Sequence, residues 1–461
     1  MNSSRSEIPA VNPPATDVAK RFRDLVAVNF GNTLEWYDWT IYTIFASYFS
    51  TQFFQSQDRV SALLATLAVF AVGFITRPLG GFLFGAYADR VGRKKSLTLA
   101  MMITAAGSLV IAVAPTFDTV GIAASLILLA ARLIQGLAHG GEMGTSVTYL
   151  VERAPKNRRA LYGSSSWVSV VLGTILATFT GLIINSVLDE SQIAAWGWRV
   201  AFGIGGILGL YALYLRRKIS ESDVFVAATG TDTDTSLSTP RSEKTAGGKK
   251  RTEPTLRALV RNWRGVAVVF GLSAGGSIMF YTWLIFTPTF AQLNRGQDPT
   301  SALTASLIAQ VIFLIAIPFV GWLSDRFGRR LFVVLFGVGF ILLTFPLDGL
   351  IDGSFSRLLA AMIIALAVLA CLFGVNGAIW AEVFPTNVRA AGVAGPLSLA
   401  TAIFGGTAPY INTFLAQSGQ HNLFLVYLMV VSGITLLTAF LMPETKDVDL
   451  TRRDDVAVSK H

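Results

Sequence analysis

Twelve stretches of the chain are apolar for about the length that a helix needs to cross a bilayer. Their approximate limits are 26–50, 61–87, 97–115, 120–146, 161–187, 199–216, 265–290, 302–323, 331–348, 357–381, 391–416 and 422–442. A hydrocarbon core of about 30 Å takes roughly 20 residues as helix. Lipid offers no partner to free backbone groups, so such stretches must be helical or close into a barrel. The pattern predicts an all-α membrane protein of twelve spans. An even count puts both termini on one side.

Composition agrees. The chain is 52% hydrophobic and 14% charged, with a mean hydropathy of +0.56. An ordinary soluble domain carries about 25% charged residues. Disordered and nucleic-acid-binding readings are excluded in spite of the net charge of +9. The single cysteine, Cys371, excludes a disulfide framework, and three scattered histidines argue against a metal centre. No metal or cofactor is expected. The first 24 residues are polar and hold no apolar signal-peptide core.

The basic excess is placed by topology. Of 37 Lys and Arg, Arg59, Arg199, Arg295 and Arg357 fall on one side, and Arg77 and Arg132 lie inside spans. The remaining 31 fall with the termini and the one long gap, 217–264. By the positive-inside rule that side is cytoplasmic, in the cell's inner membrane, where basic residues also meet anionic lipid. The expected layout is a tail (1–25), six spans (26–216), a polar linker (217–264), six spans (265–442) and a tail (443–461).

The two halves repeat. Gly85-A-Y-A-Asp89-Arg90-V-Gly92-Arg93 follows span 2, and Gly321-W-L-S-Asp325-Arg326-F-Gly328-Arg329 follows span 8, 236 residues on. Glu152-x-x-Pro155-x-Asn157-x-Arg159-Ala160 follows span 4, and Glu382-x-x-Pro385-x-Asn387-x-Arg389-Ala390 follows span 10, with an offset of 230. Paired halves are the mark of secondary transporters, whose site lies between the repeats near the midplane. Asp89 and Asp325 end spans where a carboxylate can pair with Arg residues and with the positive end of a neighbouring helix. We read these loops, with Glu152, Arg159, Glu382 and Arg389, as gate latches. Gly85 and Gly321 are read as close-packing positions. The plain alternative is a set of charged caps that stop the spans from slipping.

The twelve spans and D-R-x-G-R loops resemble the major facilitator superfamily. Within it, G-N-T-L-E-W-Y-D-W (31–39), R-P-L-G-G (77–81), R-L-I-Q-G (132–136), G-G-E (140–142) and W-G-W-R (196–199) are similar to the metabolite:proton symporter family. The run G-E-M-G-T-S-V-T-Y (141–149) resembles its 2-oxoglutarate permease branch. His139 stands where that resemblance implies a small apolar residue, and Val200-Ala201 stands for Ile-Pro. The resemblance implies a two-half bundle around a central cavity, working as a monomer. It implies proton-coupled import of 2-oxoglutarate or another dicarboxylate. Citrate, shikimate or quinate, and zwitterions such as proline or betaine are the alternatives. Osmolyte carriers of this kind often end in a coiled coil, and the 20 or so residues after span 12 show no heptads.

Charges inside spans cost about 2.5–3.5 kcal/mol each and are functional candidates. Glu35 and Asp38 share one face of span 1. Arg77 lies in span 2, and Arg132, His139 and Glu142 lie in span 4. We expect Glu35, Asp38, Arg77 and Arg132 to form one charge-balanced cluster. In it a carboxylate would gain a proton when a substrate anion takes its Arg partner. A structural ion-pair network is the alternative. Glu142 sits nearer the cytoplasm and could serve the latch. His139 is titratable near neutral pH, but is read more simply as a packed spacer. Arg199 is read as an interfacial anchor before a substrate contact.

Spans 7–12 carry no charge near their centres. Tyr281, Gln310, Asn376 and Asn412, with Trp283, Trp380 and Tyr410, are expected to form a neutral wall. Pro288, Pro318, Pro346, Pro396 and Pro409 are expected at kinks or span ends. G-L-S-A-G (271–275) matches a nucleophile elbow but lies in an apolar helix without a partner histidine, so no enzyme is expected. A sensor would append a signalling domain, and a channel has no need of paired halves.

Overall fold

The computed structural model describes residues 15–55, 58–91, 93–140, 150–152, 154–216, 259–385, 388–446 and 448. The side chains of 15–30, 82, 85, 86, 88–90, 93, 94, 97, 215 and 216 lie outside the described set. Glu142, Gly92 and residues 217–258 of the linker are therefore not placed. Gly85, Asp89, Arg90 and Arg93 contribute backbone only.

Among the described residues all regular structure is helical, arranged as twelve rods and one short turn of helix, Phe117–Val120, between the third and fourth. The first six rods are α1 (Ala15–Phe53), α2 (Arg59–Ile75, carried on by Arg77–Val91), α3 (Arg93–Val113), α4 (Ile122–His139), α5 (Arg159–Val187) and α6 (Glu190–Tyr214). The second six are α7 (Trp263–Arg295), α8 (Pro299–Phe327), α9 (Arg330–Gly349), α10 (Phe355–Glu382), α11 (Arg389–Gln417) and α12 (His421–Leu441). Ten are long and apolar enough to cross a membrane by length and composition, and α1 and α3 complete the twelve. α1 starts at Ala15, well before the apolar run begins at 26, because polar residues continue the helix there.

The first six rods pack as one half and the last six as another. α3 lies against α6, and α9 against α12, on the outside of their halves. α5 against α8 makes the largest seam between halves, joined by α5–α10, α2–α11 and α1–α7. α7 is almost wholly enclosed by protein. The helix faces turned to lipid carry exposed Leu, Ile, Val and Phe, as in α12 with Leu423, Val430, Leu437 and Phe440.

Two local features shape the centre. First, α2 and α4 meet backbone to backbone. A Cβ on Gly136 would lie 2.0 Å from the Gly73 carbonyl oxygen, and one on Gly140 would lie 1.8 Å from the Arg77 carbonyl oxygen. Only glycine permits that approach, and it sets Arg77 beside His139. Second, α7 and α11 each widen into a π-helical stretch, at Phe280–Phe286 and Thr401–Gly405. Pro288 and Pro409 start the α-helical runs that follow. Widened turns are frequent at functional sites. Pro318, Pro346 and Pro396 lie inside α8, α9 and α11.

Candidate functional site

Asp38 of α1 is buried and fully occupied. Arg132 Nη1 of α4 donates to Asp38 Oδ2 at 2.9 Å, and Gln135 Nε2 donates to the same oxygen at 3.1 Å. Ser108 of α3 donates to Oδ1. Arg132 has no exposed surface, and its guanidinium carbon lies 4.2 Å from the Tyr42 ring centre. Its Nε and Nη2 have no hydrogen-bond partner. A buried pair like this holds its geometry because parting it leaves an uncompensated charge.

Glu35, one turn earlier on the same face, places its carboxylate against His139 Nδ1 of α4. Arg77 projects inward from α2 just after the break at Thr76. Pro78 has no N–H to continue the ladder there, and the Thr76 hydroxyl ties the break to Gly73 and Leu133 carbonyls. The Arg77 guanidinium lies 3.7 Å from the Phe74 ring centre and 4.4 Å from Trp39. Its Nε and Nη2 have no hydrogen-bond partner.

The four expected charges thus divide into two units rather than one cluster. A central cavity of about 50 Å³ separates their roles. Arg77 and His139 line it, with Gly140, Trp36 and Trp167 from the first half. The second half adds Ser277, Phe280, Tyr281, Phe373, Ala394, Leu397, Ser398 and Thr401. Asp38 and Arg132 are not part of that lining. Asp38 and Glu35 instead border a smaller space of about 20 Å³ between α1, α3 and α6.

The neutral residues of the second half divide likewise. Tyr281 faces the cavity. Gln310 and Asn376 tie the halves together: Gln310 Nε2 donates to Thr178 Oγ1 at 3.0 Å, and Trp167 Nε1 donates to Asn376 Oδ1 at 2.9 Å. Asn412, Trp283 and Trp380 are buried away from the lining, and Tyr410 stacks on Phe414. Arg199 caps the end of α3, donating to the carbonyls of Ala112 and Ala114 at 3.1 and 2.6 Å. It stands clear of the cavity.

At the basic end the halves are latched. Asp325 of α8 accepts from the backbone N–H groups of Ala160 and Leu161, both at 3.1 Å, so its carboxylate caps the start of α5. Arg329 pairs with Asp325 at 2.9 Å and with Glu382 at 3.4 Å, while Arg159 reaches Glu382 at 3.9 Å. Arg389 donates to Glu152 across the seam at 2.5 Å. A Cβ on Gly321 would meet the Ala160 carbonyl oxygen at 3.0 Å, which explains the glycine. Gly328 has φ of +96°, where a side chain is strained. Arg326 lies over Trp322 rather than in the latch.

Sequence reasoning missed several of these groups. Gln135 and Ser108 complete the Asp38 shell, and Gln135 was findable three residues after Arg132 on the same face. Ser277 and Thr401, 3.0 Å apart, reach the cavity wall through α7 and α11. The π-helical widening of those rods leaves no periodic signal in the sequence.

The sequence profile described as "Sugar (and other) transporter" matches residues 25–456. The chain belongs to the major facilitator superfamily. It is 34% identical over 430 residues to the Escherichia coli α-ketoglutarate permease, covering 93% of this chain and 95% of that one. The Salmonella typhi citrate-proton symporter is 32% identical, covering 88% and 90%. The E. coli proline/betaine transporter is 31% identical, covering 93% and 85%. Among solved structures, the proton:xylose symporter XylE superposes with a TM-score of 0.72 at 19% identity, over 95% of this chain and 99% of that one. At that identity the likeness is one of fold. The superfamily's twelve-helix, two-half architecture is therefore that of this chain, and the protein is a multi-pass membrane transporter.

Proposed function

We propose that the protein is a proton-coupled secondary active transporter. It imports a small organic anion, with 2-oxoglutarate or another dicarboxylate as the first candidate. It works as a monomer in the inner membrane, with both termini and the basic loops in the cytoplasm. The observation that carries this reading is the Arg77 guanidinium: buried, facing the central cavity, with two nitrogens unpartnered. A guanidinium so placed suits a carboxylate in a two-point contact. The 34% identity to a protein named α-ketoglutarate permease supports the choice of anion.

The coupling follows from charge. The first half carries one acid–base pair that reaches the cavity through His139, and a second, Asp38 with Arg132, set back from it; burial makes an unbalanced charge costly. An anion entering at Arg77 makes the centre more negative and favours protonation of a nearby carboxylate. Anion and proton then bind cooperatively, each raising the affinity for the other. Alternating access is rocking of the halves about this centre. The latch of Asp325, Arg329, Glu382, Arg159, Glu152 and Arg389 holds the basic end shut in one state and parts in the other.

The test is uptake into proteoliposomes of labelled 2-oxoglutarate, succinate, citrate, shikimate and betaine, with and without an imposed proton gradient. Accumulation of 2-oxoglutarate that collapses with protonophore is expected. Arg77→Gln should reduce it about ten- to a hundredfold. Its thermal stability should hold or rise, because the change removes a buried cation with unpaired nitrogens. Uptake of betaine alone would replace the anion assignment, and uptake indifferent to protonophore would remove the symport.

A further inference from the structure

Charge counting in the cavity points beyond Arg77. A dicarboxylate brings two negative charges, and among the described residues Arg77 is the one Lys or Arg in the lining. Arg132 is committed to Asp38 and lies off the cavity. The second half offers hydroxyls, from Ser277, Ser398, Thr401 and Tyr281, but no cation. Among the described residues, the other group in the lining able to carry positive charge is His139. Its ring faces the cavity on one side, and its Nδ1 touches the Glu35 carboxylate on the other. The Trp36 ring stands edge-on to it at 5.9 Å.

Resting on the reading of the protein as an organic-anion symporter, we propose that His139 receives the second carboxylate of a dicarboxylate substrate. Glu35 is the member of the pair that is displaced and takes up the coupled proton. In the resting state the Glu35–His139 pair shares one proton and is neutral overall. The substrate's second carboxylate engages His139 as the imidazolium. Glu35 then loses its partner and binds a second proton, becoming a neutral acid. Arg77 and His139 together balance the dianion, and the proton gained is the one carried. No covalent bond changes. Among the described residues, the groups that face His139 are Glu35 from α1, Arg77 from α2 and Tyr281 from α7, while α11 presents only hydroxyls and apolar groups. Asp38 and Arg132 lie a turn or more away along α1 and α4 and neutralise one another.

The smaller space between α1, α3 and α6 gives the proton its own approach. It borders Glu35 on the side away from the cavity and is edged by Thr104, Ser108 and Asp38. At about 20 Å³ it is large enough for a water molecule. Substrate and proton would then reach the pair from opposite sides.

The experiment compares 2-oxoglutarate with its C5 amide, 2-oxoglutaramate, which has nearly the same shape and one negative charge fewer. Binding to the purified full chain is followed calorimetrically near neutral pH in two buffers of different ionisation enthalpy, which reports protons taken up. Wild-type protein should prefer the dianion by about ten- to a hundredfold and bind about one extra proton with it. His139→Gln should bind the two ligands with similar affinity. Glu35→Gln should keep the preference for the dianion but take up no proton, a separation that a merely structural role would not produce. Retained preference in His139→Gln, or undiminished proton uptake in Glu35→Gln, overturns the inference while leaving the anion reading intact. Wild-type protein that binds neither anion overturns both.

Discussion

α1 and α7 occupy matching places in the two repeats, yet they bring opposite chemistry to the centre. α1 buries Glu35 and Asp38, paired with His139 and Arg132 of its own half. α7 brings Ser277, Phe280 and Tyr281. The seam between halves repeats the contrast. Where it crosses the interior it uses neutral hydrogen bonds, Gln310 to Thr178 and Trp167 to Asn376. Each such bond contributes about 0.5–1.5 kcal/mol net and can be exchanged as the halves rock. Charged contacts cross the seam at the basic end instead, from Arg389 to the half-exposed Glu152 and from Arg159 to Glu382. Parting an ion pair is inexpensive where water can replace the partner and costly where it cannot. Of the charged contacts across the seam, Arg389–Glu152 has a half-exposed acid that water can reach and is the readily separable one, whereas Arg159 and Glu382 are buried and costlier to part.

The largest effect should come from breaking a deep pair. Arg132→Gln leaves the Asp38 carboxylate buried with only Gln135 and Ser108 as donors. The expected loss is about 3–5 kcal/mol of stability, read as a lower Tm in detergent, together with loss of gradient-driven accumulation. Wild-type Tm and uptake would show that the first half does not depend on this pair. Arg389 and Glu152 should lie at the other extreme. Glu152→Gln removes a latch whose acceptor is exposed, so stability should change by less than about 1 kcal/mol. The distribution of distances between spin labels on the basic ends of α5 and α8 should shift toward the open state. An unchanged distribution would reduce the latch to an ordinary surface contact.

Much of this contrast was legible before any coordinates. Twelve apolar runs and two motif pairs at nearly one offset already describe a duplicated bundle, because bilayer thickness dictates span length. The positions of Asp325, Arg329, Glu382 and Arg389 in repeated motifs were legible too, but which of them pair across the seam was not. What the sequence did not reveal was the division of labour among the buried charges. Helical spacing put Glu35 and Asp38 on one face, but a face 5–6 Å long serves two neighbours. Which neighbour each acid meets depends on how closely α2 and α4 approach, and that is set by the glycine seam at Gly73, Gly136 and Gly140. In the sequence His139 reads as a spacer for the same reason: its partner lies on another helix. Its departure from the small residue that the family resemblance implied was the available signal.

The smallest effect sharpens the surface side of the contrast and is recognised by its pH dependence. Glu444, just past α12, accepts backbone N–H groups from Arg329 and Arg330 at 2.9–3.0 Å and so fastens the loop that carries the Arg329 latch. Burial alone would raise its pKa above the ordinary 4.5. The backbone donors of Arg329, Arg330, Lys446 and Thr445 together outweigh burial and hold it lower. A carboxyl depressed in the folded state adds stability that is fully present above its unfolded value and is lost as pH falls through the folded value. Glu444→Gln should therefore lower Tm slightly at neutral pH, and the gap to wild type should close as pH drops below about 4.5. The deep pairs should give no such convergence for this substitution, because Glu444 touches none of them. A gap that persists in acid would mean that Glu444 fastens the loop by shape and not by charge.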